Sequence, residues 1–150
     1  MHFLDVCTIV CVGLMTGNEL TVSLFINPVL WQLDDNAQVK ALSLFARLLG
    51  KVMPVWYALC LIFMIAEAYL RRHESGRTLF LVAIAIWIAI ILYTVAVLVP
   101  INNRIASLQP GSITAEWRTS HKKWDTLHRW RILFLITAMV CLIYGILGAR

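Results

Sequence analysis

Charge is scarce in this chain: only 14% of its 150 residues are charged while 61% are hydrophobic, and the mean hydropathy is +0.80. That deficit excludes an ordinary soluble domain of this length, in which about 25% of residues are charged. A basic face is missing as well. The net charge is +5, but Lys and Arg sit in loops and at the ends of apolar runs, which excludes nucleic-acid binding and fits contact with membrane headgroups. Paired cysteines are also absent: Cys7, Cys11, Cys60 and Cys141 stand apart inside apolar runs, without the spacing of a zinc site or a redox dithiol. They are expected to be free thiols that pack as small hydrophobes. No repeat, low-complexity tract or linker announces a second domain, and without an inverted repeat four spans are few for a secondary carrier acting alone.

What remains is four long apolar runs, at residues 3–30, 52–70, 79–99 and 132–147, each near the roughly 20 residues that cross a bilayer. The expected fold is all-α, a four-transmembrane-helix bundle forming a single integral membrane domain over residues 1–150. The first run has no Lys or Arg before it and no small-residue cleavage site, so it is expected to stay as helix one. Residues 34–52 predict an amphipathic extension ahead of helix two, with Asp34 or Asp35 as N-cap and Val39, Leu42, Phe45, Leu49 and Val52 on one face. Pro54 predicts a kink. Glu67 and Arg71, four residues apart, read as a surface ion pair, and "HESGR" as a tight turn with Gly76 in the left-handed region. Span three is expected to close at Pro100 and lead into a loop, with Pro110-Gly111 as a turn and Ser112 or Thr114 as the next N-cap, ahead of Glu116. From there about 34 unbroken helical residues are expected, spanning about 50 Å, with a protruding first half. Nine Lys and Arg fall in residues 31–51 and 100–131 and four on the opposite side. The positive-inside rule then puts loops one and three in the cytoplasm, in an expected bacterial inner membrane.

Three constellations carry possible chemistry. On a helix, Thr16, Glu19, Ser23 and Asn27 form one polar stripe, and an ionisable residue deep in a span costs several kcal/mol unless it faces a partner or a wet cavity. A carboxyl buried there without a cation would be neutral; a carboxylate would demand an arginine, with Arg104 or Arg131 the first candidates. Gly13 and Gly17 form a GxxxG that suits close helix packing or a homo-oligomer. The second stripe is Trp117, His121, Trp124, His128 and Arg131, spaced by four, three, four and three. An aromatic belt with a snorkelling Arg is one account of it. His128 is the candidate base or ligand, and His121, Asp125 and His128 have a spacing that can hold a metal on one helix face. The third group is "PINNR", where Asn102 and Asn103 can donate and accept and Arg104 is a fixed cation. Topology brings these groups to one end of the bundle. The expected pocket is lined by Asn27, Trp56, Tyr57, Asn102, Arg104, Trp124, His128 and Arg131, with Glu19 at its floor.

"GNEL", "FINP", "MPVWYA", "VPINNRIA" and "WDTLHRWR", in this order on the four runs, resemble the anthrone oxygenase-like family of small four-helix membrane proteins. The most specific part is "NNR" followed by Trp-x-x-x-His-x-x-Arg. The resemblance implies oxidation of an apolar aromatic substrate, anthrone- or quinone-like, with O₂ and without a required metal or flavin. Carried over residue by residue, Asn102, Asn103 and Arg104 match its Asn-rich motif, Trp124, His128 and Arg131 its Trp-His-Arg motif, and Asn27-Pro28 its Asn/His-Pro motif. His128 or Glu19 would be the base. Arg104, Arg131 and Asn102 would stabilise developing negative charge, and Trp56, Tyr57 and Trp124 would wall the ring system. The other reading is a non-catalytic membrane module that binds lipid, quinone or a haem at His128, or a small subunit of a larger complex.

Overall fold

The computed structural model describes residues 2–108 and 115–148. The expected turn at Pro110-Gly111, the cap at Ser112 or Thr114, the Glu116 side chain and Arg150 lie outside the described residues. These form four long helices with no strand among them: α1 His2–Leu30, α2 Asp35–Leu70, α3 Arg77–Ala106 and α4 Ala115–Gly148. All four are long and apolar enough to cross a membrane. They alternate in direction, and α1 packs on α2, α2 on α3, α3 on α4 and α4 back on α1.

The core runs through the middle of this ring of helices. Val12 and Met15 from α1, Cys60 and Met64 from α2, Phe80 and Trp87 from α3, and Leu135 and Leu142 from α4 meet there, all fully buried. A smaller cluster of Leu30, Val39, Leu42, Ile105 and Trp117 closes the end that carries loops one and three. The outer face is apolar too, with Leu14, Val55, Ile62, Leu92 and Leu133 all more than half exposed. That inversion suits a chain whose solvent is lipid.

Helix ends and breaks follow from particular residues. Asp34 caps α2, its carboxylate accepting from the backbone N–H groups of Asn36 and Ala37 at 3.1 and 3.0 Å. Helix α2 continues through Pro54. In α1 and α3 the prolines do something else. Pro28 and Pro100 have no N–H to give the carbonyls four residues back, at Leu24 and Ala96. Just before each, the ladder widens: Asn27 N–H bonds to Val22 O and Val99 N–H to Thr94 O. The result is a single π-turn at Val22–Ile26 and another at Thr94–Leu98. Span three therefore does not close at Pro100, as expected; the helix runs on to Ala106, and the Ala106 carbonyl is capped by Ser43 Oγ and the Arg47 guanidinium.

Gly76 also departs from expectation. Its φ is −71°, not left-handed. A Cβ there would collide with the Gly145 carbonyl oxygen, and one at Gly145 would press on the Phe80 ring at 3.3 Å. Close approach of α3 to α4, rather than a turn conformation, is what needs these glycines.

Candidate active site

The polar stripe of α1 faces inward. Thr16, Glu19, Ser23 and Asn27 are each less than 5% exposed, and Glu19 is the centre of a charged cluster drawn from all four helices. Arg131 Nη2 donates to Glu19 Oε2 at 2.6 Å, and the Tyr57 hydroxyl donates to Oε1 at 3.1 Å. Arg131 also reaches Thr94 Oγ1 at 3.3 Å, and its guanidinium lies 5.8 Å from the Tyr57 ring centre. Thr94 is in the π-turn ahead of Pro100, so the widened ladder positions one of the cluster's ligands.

His128 is locked into the same cluster. Its Nε2 lies 3.2 Å from the Glu19 carbonyl oxygen and its Nδ1 lies 2.9 Å from Arg131 Nη2. A carbonyl can only accept and a guanidinium can only donate. The ring is therefore the neutral Nε2–H tautomer, with Nδ1 accepting, and neither nitrogen is free to ligate a haem or a metal.

Above this cluster, towards loops one and three, the second stripe builds a column of flat rings. Trp124 stacks on His128 with centroids 4.5 Å apart and planes at 12°. His121 follows at 6.4 Å from Trp124, and Trp31 covers His121 at 4.6 Å, beside Trp117 at 6.5 Å. Trp117 is 3% exposed, so the aromatic-belt account does not hold for it; it points into the protein. A groove opens beside the column, lined by Val22, Ile26, Asn27, Leu30, Leu42, Phe45, Ala46, Leu49, Asn102, Ile105, His121 and Trp124, with a cavity volume of about 40 Å³. Asn27 Nδ2 donates to Asp125 Oδ1 at 2.8 Å, and Asp125 pairs with Arg129 at 3.1 Å. His121, Asp125 and His128 do not converge, and no group of three His, Cys, Asp or Glu able to hold a metal occurs among the described residues.

The candidate residues thus divide into three sets. Glu19, Tyr57, His128 and Arg131 meet in the buried cluster, and Asn27, Asn102 and Trp124 line the groove. Trp56 is elsewhere, its Nε1 donating to Cys11 O at 3.3 Å between α1 and α2. Asn103 and Arg104 are exposed and join neither. Thr94 and Trp31 belong to the site without having been singled out for it, and Asp125, expected only as a metal ligand, enters it as the partner of Asn27. Thr94 carried a sequence signal, as a hydroxyl in a run with no charge; Trp31 and Asp125 are recruited by contacts across 90 residues or more, which no spacing records.

A second polar cluster sits at the opposite end. Arg71, 3% exposed, binds Asp5 at 2.5 Å, Glu67 at 3.1 Å and Glu74 at 3.3 Å, and Thr8 donates to Glu67 at 3.2 Å. The expected surface pair of Glu67 and Arg71 is therefore a buried network, because α1 brings Asp5 and Thr8 over it. Burial disfavours the Arg71 cation, but hydrogen bonds and charge from Asp5 and Glu67 outweigh this and hold its pKa above the ordinary value.

The family model for anthrone oxygenase matches residues 42–141, two thirds of the chain. The chain belongs to the anthrone oxygenase family. No curated protein and no solved structure matches it. The anthrone oxygenase match takes in Tyr57, Thr94, Asn102, His121, Trp124, His128 and Arg131 but begins after Glu19 and Asn27. The arginine of the central ion pair lies inside the matched region and its carboxylate outside it.

Proposed function

We propose that the chain is a membrane oxygenase, or a related redox enzyme, acting on an apolar aromatic substrate of anthrone or quinone type. The observation that carries this reading is the Glu19–Arg131 pair, held at 2.6 Å with Tyr57 and His128 in the core of an anthrone oxygenase family member. Ionisable groups inside spans are functional by default. An anthrone has an acidic C–H beside rings that delocalise the carbanion left behind, and such a carbanion reacts directly with O₂. The Glu19 carboxylate takes the proton. His128, with both nitrogens engaged, holds Arg131 rather than serving as the base. The carbanion forms a C–O bond to O₂, and the peroxide is protonated. Loss of the second C–H proton with cleavage of the O–O bond then leaves a carbonyl and releases water. One anthrone and one O₂ thus give one anthraquinone and one water, with no further reductant. Arg131 and Asn102 stabilise negative charge on oxygen, and Asn27 and Trp124 hold the ring system.

The groove is small beside the roughly 300 Å³ of an ordinary ligand pocket. A tricyclic substrate requires its outer wall to part, and Phe45, 37% exposed, is the lining side chain most open to the surroundings. The groove also favours a second reading, a non-catalytic module holding a quinone or lipid. Oxygen uptake with anthrone as substrate separates the two. The enzyme reading expects uptake by the wild-type chain and its loss in Glu19→Gln; a wild-type chain that consumes no O₂ leaves the binding module. For orientation, we place loops one and three on the cytoplasmic side of a bacterial inner membrane, from the excess of Lys and Arg on that side.

A further inference from the structure

Two histidines stand seven residues apart on one face of α4 in opposite circumstances. His121 and His128 are both fully buried. His128 has both ring nitrogens paired; His121 Nδ1 and Nε2 have no hydrogen-bond partner among the described residues. A buried polar group left unpaired costs about 1–3 kcal/mol, and a neutral imidazole presents both a donor and an acceptor. The His121 ring lines the groove. Trp124 lines it as well, with Nε1 also buried and unpaired, and so does Asn102. The rest of the lining is almost wholly aliphatic or aromatic. Apolar walls with a few converging polar groups are the form of a small-molecule site.

We propose that His121 anchors a ligand in this groove: a flat aromatic molecule bearing a ring hydroxyl or carbonyl. A hydroxyl donates to the acceptor nitrogen of the imidazole, and a ring oxygen accepts from the imidazole N–H or from Trp124 Nε1. The indole of Trp124 supplies a flat surface for the rings. A lipid acyl chain would fill the apolar wall and leave the nitrogens unpaired. Water has room in about 40 Å³, but the nitrogens are covered in the closed groove and water makes no use of the aromatic surface. The ligand would be the substrate of the oxygenase reading, on which this inference rests for its biological sense; its test is binding without turnover, so the two fail separately.

The experiment titrates the full chain in phosphatidylcholine nanodiscs with 2-hydroxyanthraquinone, followed by quenching of tryptophan fluorescence, and repeats it with anthracene, which lacks oxygen. The wild type is expected to bind 2-hydroxyanthraquinone about tenfold more tightly than anthracene, the worth of one good hydrogen bond. His121→Ala is expected to abolish that preference while still binding anthracene, and His121→Asn, which keeps a donor and an acceptor, to retain part of it. Equal affinity for the two probes in the wild type, or an undiminished preference in His121→Ala, overturns the proposal. If His121→Ala does not fold, His121→Phe, which keeps a flat ring without a polar atom, is read in its place, and an undiminished preference there overturns it. Binding with this preference but no O₂ uptake from anthrone removes the oxygenase reading and leaves the site standing. Unchanged anthrone KM and kcat in His121→Ala removes the site and leaves the oxygenase.

Discussion

Glu19 and Arg131 are each the reason the other can stand inside a bilayer. Alone, either would be an uncompensated charge in a span; together they lie at 2.6 Å, with Tyr57, Thr94 and His128 taking up most of the remaining hydrogen-bonding capacity. The arrangement answers which arginine accompanies the carboxylate: Arg131 does, and Arg104 is exposed. Removing one partner strands the other, so Arg131→Ala should cost about 3–5 kcal/mol, read as a lowered Tm in detergent. Replacing both, as Glu19→Met with Arg131→Met, should cost less than Arg131→Ala alone, because no buried charge is left over. A double variant less stable than the single would show that the cluster stabilises through something other than charge pairing. The infrared spectrum offers a second reading of the same pair: Glu19→Gln should remove a carboxylate band at neutral pH, and loss of a protonated-carboxyl band instead would contradict the ion pair.

At the scale of elements, prolines and glycines decide where the polar groups go. The run of apolar residues was enough to place four helices, but proline in a helical pattern can stop a helix or widen it, and periodicity does not distinguish the two. In the structure Pro28 and Pro100 widen it, and the π-turn before Pro100 carries Thr94 to Arg131. Pro100→Ala should let the ladder close to ordinary α geometry. We expect equal or higher Tm, since an interior proline destabilises a helix, together with lowered O₂ uptake as Thr94 rotates away. Unaltered uptake would mean that the π-turn has no part in the site. Gly76→Ala tests the other device. A methyl placed against the Gly145 carbonyl should destabilise by about 1–3 kcal/mol, measured by thermal unfolding, whereas a turn that merely tolerated glycine at its φ of −71° would gain from alanine.

For the whole molecule, the four spans and the inward stripe on α1 were legible in the sequence because both follow from period and composition. The pairing was not. Arg71 read as a surface partner of Glu67 because Asp5, which also binds it, is 66 residues away, and Arg104 read as a site residue because it is a fixed cation beside two amides in "PINNR", of which only Asn102 lines the groove. These corrections also change the charge count that sets orientation. Arg131 and Arg71 are buried and paired with acids, so each side loses one cation, and the excess around loops one and three rises in proportion. With loops one and three inside, both termini lie outside the cytoplasm. A fluorescent protein that folds only in the cytoplasm, fused after residue 150, should therefore be dark, and the same protein inserted between Ser107 and Leu108 bright. The reverse pattern would invert the bundle and put the mouth of the groove on the outer side. In that case a ligand of the proposed site would reach His121 and Trp124 from the outer leaflet rather than the inner one.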